Sequence, residues 1–244
     1  MKKSVFFLAL LVILVSSCSK QERNEKKFLK AMMSEDFEEA AKGFDEFCTW
    51  LERDKSTMTY DFNLMREKMA LKVVSSADGK VRCYSWPTLS DGNVVRYANV
   101  EQWLVNDMLV ASREPLDRLF TGKNAMPHSV DTIMDIQGVY EKPVYLIVQS
   151  FMNSSGNMRS FITAAQITDN YLLAIPFFFD GMNNAGNHEY ESGTNVKTSD
   201  MYKWDEKTRR LQVFETDDSL HIIPGKYTVY QLGNKQFTRV ESAE

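Results

Sequence analysis

The chain is poor in the residues that mark several classes of protein. Its 244 residues include only 11 glycines, 6 prolines and 3 cysteines. So little glycine and proline excludes a collagen-like or low-complexity chain, and so few cysteines exclude a disulfide-rich scaffold. Basic and acidic residues number 29 and 33, so neither sign dominates. What is left has the composition of an ordinary globular protein.

The sequence also lacks the usual signatures of catalysis. Its three histidines, His128, His188 and His221, are far apart, and none lies in a His-Glu-x-x-His zinc motif. There is no Gly-x-Ser-x-Gly elbow, no phosphate-binding Walker loop and no dinucleotide-binding glycine motif. We therefore predict no catalytic residue, no metal site and no cofactor, and we favour a protein that is not an enzyme.

One apolar run stands near the start of the chain. Two lysines precede Val5–Val15, and the small residues Ser16 and Ser17 follow it. A membrane-spanning helix needs about 17–25 apolar residues, so this run is too short for a stable anchor. It has the length of the apolar core of a secretory signal peptide. We predict that residues 1–17 are a signal peptide.

The four residues Val15-Ser16-Ser17-Cys18 resemble the lipobox of bacterial lipoproteins. In that family the cysteine thiol takes a diacylglycerol, and cleavage then leaves the cysteine at the new N-terminus. The resemblance implies cleavage between Ser17 and Cys18, acylation of Cys18, and the lipid bilayer as a partner. It places the protein in the cell envelope. Serine rather than aspartate after the cysteine favours the outer membrane, with the periplasmic or surface face left open.

The mature chain is more acidic than the precursor. The predicted signal peptide contains two lysines and no acidic residue, so 27 basic residues would face 33 acidic ones, a net charge of −6. Such a surface does not attract nucleic acid or anionic lipid by charge. We predict no nucleic-acid partner.

The mature chain begins with a helical part. Residues 18–27 are polar and predict a tether, and residues 28–69 predict a helical segment. Apolar residues recur at steps of three and four from Phe28 to Leu51. Asp36 and Glu39 are spaced as a capping pair, so a break between two helices near Ser34 is expected.

Residues 70–244 read as antiparallel β structure. Short strand patterns alternate with turn signals such as Asp78-Gly79 and Asn106-Asp107. The predicted class is α+β, with residues 28–244 as one compact unit: helices against a curved sheet or sandwich, or against a small propeller as the alternative. Tyr171–Phe179, the most apolar stretch, predicts a buried strand, and Pro176 predicts that its partner on one side is absent or bulged.

The segment Ser76–Trp86 (SADGKVRCYSW) resembles a stretch of uncharacterised envelope lipoproteins of Gram-negative bacteria. That resemblance covers a small part of the chain and carries no catalytic residues with it. It agrees with the lipobox on the cell envelope.

Residues 180–199 read as a long loop rich in oxygen-bearing side chains. Its candidate ligand or calcium residues are Asp180, Asn183, Asn184, Asn187, Glu189 and Glu191. Long loops are often functional, but the spacing does not match an EF-hand. Both a ligand-binding loop and a solvated connection are compatible with the sequence.

Cys48 and Cys83 are the cysteines left outside the lipobox. An exported protein meets oxidising conditions, so a disulfide between them is one prediction. Two separate buried thiols that behave as small hydrophobic residues are an equal alternative.

Two short segments, Asp131-Thr132-Ile133 and Asp218-Ser219-Leu220, resemble the O-glycosylation acceptor motif of some anaerobic Gram-negative bacteria. The acceptors would be Thr132 and Ser219. The motif is short enough to occur by chance.

Function follows mainly from location. We predict a membrane-anchored envelope lipoprotein that acts as a binding or structural module, with a glycan or protein partner. The alternative is an envelope hydrolase that acts on glycan or peptide.

The four tryptophans Trp50, Trp86, Trp103 and Trp204 could form a glycan-stacking surface or serve as core residues. A deep cleft with convergent carboxylates or a His–carboxylate pair would favour the hydrolase, and a shallow aromatic surface the binder.

Overall fold

The computed structural model describes residues 20–88, 95–113, 128–152, 156–168, 171–177, 184–191 and 198–240. The predicted signal peptide and Cys18 lie outside the described residues. The chain divides into two compact units, a helical unit that ends at Leu71 and a β unit that begins at Lys72. Among the described residues, no helix is both long enough and apolar enough to cross a membrane.

The helical unit contains helix α1 (20–32), helix α2 (Phe37–Arg53), a short 3₁₀ helix (Lys55–Met58) and helix α3 (Asn63–Met69). The predicted break near Ser34 is confirmed. Asp36 caps α2, and its side chain accepts a hydrogen bond from the backbone N–H of Glu39 at 2.9 Å. The Ser34 hydroxyl donates to the Glu39 carboxylate at 2.6 Å, which completes the cap.

Helix α1 begins earlier than the sequence predicts, because residues 20–27, expected as a tether, are helical. Glu25 explains the difference, since it lies on the buried face and is only 1% exposed. The Tyr60 hydroxyl donates to its carboxylate at 2.7 Å, and the Met65 backbone N–H donates at 2.8 Å. Apolar periodicity cannot detect a helix whose first buried residue is a glutamate held by distant donors.

Gly43 allows α1 and α2 to approach closely. A Cβ at this position would lie 2.5 Å from the Ala31 Cβ and 3.0 Å from the Ala31 carbonyl carbon. The neighbouring atoms include helix backbone, which cannot rotate away as a flexible side chain can. The crossing of the two helices therefore depends on the missing side chain.

Replacing Gly43 by alanine is expected to destabilise the helical unit by about 1–2 kcal/mol, because overpacking a tight contact costs about 1–3 kcal/mol. At an ordinary helical site the same change would stabilise the helix by about 1 kcal/mol. Urea unfolding followed by helical circular dichroism measures the difference. Ala31→Gly added to the variant should recover part of the loss. A Gly43→Ala variant more stable than the parent would contradict this packing.

In the β unit, thirteen strands are described and they form three antiparallel sheets. Sheet one contains β1 (Lys72–Ser75), β2 (Val81–Pro87), β3 (Tyr97–Val105) and β4 (Met108–Arg113). Sheet two contains β5 (Ser129–Ile136), β6 (Val144–Met152), β7 (Met158–Thr168) and β8 (Tyr171–Ala174), with β9 (Asn184–Tyr190) also paired to β7. After a single helical turn, α4 (Thr198–Met201), sheet three contains β10 (Tyr202–Asp205), β11 (Arg210–Thr216), β12 (Ile222–Leu232) and β13 (Phe237–Val240). The predicted α+β class with an antiparallel β body is confirmed.

The predicted turns Asp78-Gly79 and Asn106-Asp107 both connect paired strands. Gly79 has φ +68°, and Asn106 and Asp107 have φ +48° and +63°. Asn106 and Asp107 form the two-residue turn between β3 and β4, which demands left-handed dihedrals at both positions, whereas Gly79 supplies one left-handed residue in the longer turn between β1 and β2. Local turn chemistry therefore predicted these hairpins correctly.

Strand β6 is buried on both faces. Val144, Leu146 and Val148 pack in a cluster that includes residues of sheet three. Tyr145 and Ile147, which point the other way, pack in a second cluster that includes residues of sheet one. Sheet two thus contributes a face to each of two cores, which explains why β6 is a continuous apolar run.

The prediction that Tyr171–Phe179 forms a buried strand is wrong. Of its described residues, 171–177, only Tyr171–Ala174 form a strand, β8, and Tyr171 and Leu173 are 65% and 48% exposed. β8 pairs only with the end of β7, because β9 occupies the rest of the same β7 edge. Among the described strands β8 is thus one-sided, as Pro176 predicted, and hydrophobicity alone misjudged its burial.

Both remaining cysteines are buried thiols. Cys48 lies in α2 and Cys83 in β2. They belong to different units, so a disulfide between them stays a prediction. Burial, with a smaller contribution from the charge of Glu101, raises the pKa of the Cys83 thiol well above its usual value. A protonated, enclosed thiol packs as a small hydrophobic side chain.

Candidate functional site

The segment predicted as a long loop contains strand β9, so that prediction is wrong for its central part. Asp180 and Asn183 lie outside the described residues. Asn184 and Asn187 belong to β9, although their side chains are not among those described. The strand forms because the edge of β7 offers partners for Asn184–Tyr190, and such non-local pairing leaves no mark in a polar sequence.

Glu189 is held by an ion pair rather than left open for a metal. Arg159 donates to one Glu189 oxygen from Nη2 at 2.9 Å and from Nε at 3.2 Å. Asn157 Nδ2 donates to the other oxygen at 3.3 Å. These contacts join β7 to β9, which indicates a structural role for this carboxylate.

Glu191 takes part in a cluster with His221 and Asp217. His221 Nε2 lies 3.2 Å from a Glu191 oxygen, and His221 Nδ1 lies 3.3 Å from an Asp217 oxygen. The His221 backbone N–H also donates to Asp217 and is the largest cause that lowers the pKa of that carboxyl. Because both ring nitrogens face carboxylates, neither is left to activate a nucleophile. Among the described residues no group of three His, Cys, Asp or Glu side chains is arranged to hold a metal.

Of the two histidines whose side chains the structure describes, His128 has the more unusual environment. It directly precedes β5, and its ring lies edge-on to Phe161, with 5.4 Å between the ring centroids. Burial lowers the pKa of His128 to about 4. The ring is therefore neutral in the folded protein at physiological pH.

This environment makes the stability of the β unit depend on pH. An unfolded histidine has a pKa of about 6.5, so the unfolded chain takes up a proton first as pH falls. The contribution of neutral His128 is complete above pH 6.5 and is lost between about pH 6.5 and 4, by about 2 kcal/mol at pH 5. Comparing urea unfolding of the parent and of His128→Gln at about pH 7.5 and about pH 5 isolates this effect. Equal pH dependence in both proteins would show that burial of His128 does not shift its protonation.

Three of the four tryptophans are buried: Trp50 in α2, Trp86 in β2 and Trp103 in β3. Trp204 in β10 is half-buried and lines a groove. Of the tryptophans in the β unit, only Trp204 is therefore exposed enough to stack on a glycan.

The groove that Trp204 lines, here called the sheet groove, has a volume of about 580 Å³. Its walls come mainly from β5 with the residues after it and from β10 with the turn after it. The lining residues are Ala77, Thr132, Ile133, Met134, Asp135, Gln137, Tyr202, Lys203, Trp204 and Glu206. The volume lies within the range of about 300–1,000 Å³ that small-molecule sites occupy.

The polar groups of the sheet groove are held by neutral partners. Trp204 Nε1–H donates to a Glu206 oxygen at 2.7 Å. The Ala77 backbone N–H donates to one Asp135 oxygen at 2.9 Å, and Gln137 Nε2 lies 3.5 Å from the other. The Lys203 ammonium donates to the Tyr227 hydroxyl at 2.8 Å, outside the groove lining. Neither lining carboxylate has a basic partner among the described residues.

A second groove of about 570 Å³ lies in the helical unit, lined among others by Lys27, Glu46, Trp50, Arg53 and Asp54. Two of its charged side chains, Lys27 and Glu46, form an ion pair at 2.7 Å, and Trp50 Nε1–H donates to Asp54 at 3.3 Å.

The two candidate O-glycosylation sites differ in access. Thr132 lies within β5, on the wall of the sheet groove. Ser219 lies exposed in the turn between β11 and β12. Modification of Thr132 and modification of Ser219 both stay predictions.

Sequence reasoning missed Asp135, Gln137 and Glu206. Each is an ordinary polar residue in or beside a strand, and only the approach of sheets two and three brings them together. The sequence identified Trp204 as one of four candidate tryptophans, but nothing in the sequence showed that it is the tryptophan that lines the sheet groove. No local pattern in the sequence could have identified the other three.

No protein-family model matches the chain, and no curated protein or solved structure shows significant similarity to it.

Proposed function

We propose that the protein is a membrane-anchored cell-envelope lipoprotein whose β unit binds a ligand in the sheet groove without transforming it. Acylated Cys18 would hold the chain at the bilayer, most simply at the outer membrane. Two or three acyl chains anchor a protein firmly, whereas one does so only marginally. The β unit would then present its groove to the envelope.

The observation that carries this proposal is the way the groove holds its carboxylates. Asp135 and Glu206 each accept a hydrogen bond from a protein N–H, so both side chains are kept in fixed positions on the groove walls. A fixed aromatic ring with placed polar groups is typical of a binding site. A hydrolase would need a carboxyl or imidazole aimed at the scissile bond.

The hydrolase alternative is less well supported. One candidate is the His221–carboxylate cluster, but it is exposed and does not line the sheet groove. Both ring nitrogens of His221 already face carboxylates. The other candidate is the pair of groove carboxylates, Asp135 and Glu206, but each already accepts a hydrogen bond from a protein N–H. We therefore favour binding over catalysis.

For the finer architecture, we favour layered sheets over one curved sheet. The two core clusters support this, because each joins sheet two to a different neighbour. A small propeller typically has four to eight blades. Three sheets in the described part of the chain favour the sandwich-like packing.

Site-directed photo-crosslinking in intact cells tests the proposal. Gln137, an exposed residue of the sheet groove, would be replaced by a photo-crosslinking amino acid. Gln236, an exposed glutamine in the turn before β13 that does not line the groove, gives a matched control. We expect a crosslinked adduct from the Gln137 position and none from the Gln236 position. Equal labelling, or no adduct at either position, would reject the sheet groove as the binding site.

A further inference from the structure

We propose that the ligand of the sheet groove is a neutral glycan chain, an inference that rests on the proposed binding function. The groove offers both kinds of hydrogen-bonding group. Asp135 and Glu206 are acceptors, whereas the Gln137 amide and the Thr132 hydroxyl can each donate as well as accept. Sugar hydroxyls also both donate and accept, so this mixture matches them.

Trp204 supplies the apolar part of such a site. Its Nε1–H is bonded to Glu206, and its ring lies edge-on to buried Phe237, with 5.7 Å between the centroids and 86° between the planes. The ring is therefore already held in position in the free protein, so the Trp204 side chain loses less conformational entropy when a ligand binds. A fixed aromatic face stacks well on the C–H face of a pyranose ring.

The charges of the groove argue against the two charged classes of ligand. Two carboxylates with one lysine give the lining a formal charge of −1, which repels phosphate-rich or other anionic polymers. The charged groups of a cationic peptide only donate hydrogen bonds, so a site for such a peptide needs acceptors. The sheet groove also contains donors. A neutral ligand that carries many hydroxyls fits both the charge and the donor set.

Isothermal titration of the full mature protein, purified in a detergent without a sugar headgroup, tests the inference. The probes are the hexamers of α-1,4-linked glucose, β-1,4-linked glucose and N-acetylglucosamine, with hexalysine as the cationic comparison. We expect at least one oligosaccharide to bind. Trp204→Ala should then weaken binding about tenfold or more, as loss of an aromatic contact of about 1.5 kcal/mol implies.

Two further variants make the result specific. Trp204→Phe keeps a ring against Phe237 and guards against misfolding, and it should bind more tightly than Trp204→Ala. Trp50→Phe, in the helical unit, should leave binding unchanged.

Three results would overturn the inference: binding of hexalysine but of no oligosaccharide, oligosaccharide binding unaffected by Trp204→Ala, or no oligosaccharide binding at millimolar concentration. If a crosslinked adduct still forms at Gln137 in cells, the groove remains a binding site and only the glycan inference fails. If that adduct is missing too, the proposed function fails with it.

Discussion

Replacing Cys18 by serine is expected to move the protein from the membrane fraction to the soluble fraction. Serine has no thiol to take the diacylglycerol, so the acyl chains and their contribution of about 0.8 kcal/mol per buried CH₂ are lost. The uncleaved apolar run of eleven residues is too short to replace them, since a spanning helix needs about 17–25 residues. Fractionation of cells followed by immunoblotting measures the redistribution.

A matched control lies one residue away. Ser17→Ala keeps a small residue before Cys18, so this variant should stay in the membrane fraction. If the Cys18→Ser protein still fractionates entirely with detergent-extracted membranes, lipidation does not hold the protein there and the lipoprotein interpretation is wrong.

Replacing Phe237 by alanine is expected to destabilise the β unit by about 3–5 kcal/mol, the usual cost of removing a buried phenylalanine side chain. Phe237 is 0% exposed and packs edge-on against Phe177, with 5.3 Å between the ring centroids. It also supports Trp204, so the cavity would loosen the wall of the sheet groove as well. Urea unfolding followed by near-ultraviolet circular dichroism measures the loss.

Phe37 provides the control for that substitution. It begins α2 and is 54% exposed, so Phe37→Ala should change stability by no more than about 0.5 kcal/mol. A loss below about 1 kcal/mol for Phe237→Ala would show that its site collapses around the cavity or is not a packed core.

Features encoded by neighbouring residues were predictable from the sequence. The Asp36 cap and the Asp78-Gly79 turn both depend on signals within a few residues. Turn dihedrals and helix caps have specific chemistry, so a single sequence is enough to find them.

Features that depend on distant partners were not predictable. β9 is polar and contains glycine, and it is a strand because β7 offers it an edge. Glu25 is buried because Tyr60 and Met65 donate to it from elsewhere in the chain. In both cases tertiary contacts outweigh local preference.

The candidate site depends even more on distant partners. Asp135 lies in β5 of sheet two and Glu206 in the turn after β10 of sheet three, and their shared groove arises from packing between those sheets. The sequence pattern did not predict β5, and it could not show which strands lie side by side. The sequence shows that Trp204 is a type of residue common in binding sites, but only the folded structure shows that it lies in the sheet groove.

Mass spectrometry of the N-terminal peptide, from protein purified out of its native membranes, tests the central claim of an anchored envelope protein most directly. We predict a mature chain that begins at Cys18 and carries diacylglycerol on its sulfur. A chain that still begins at Met1, or one that is cleaved elsewhere and bears an unmodified Cys18, would contradict the claim.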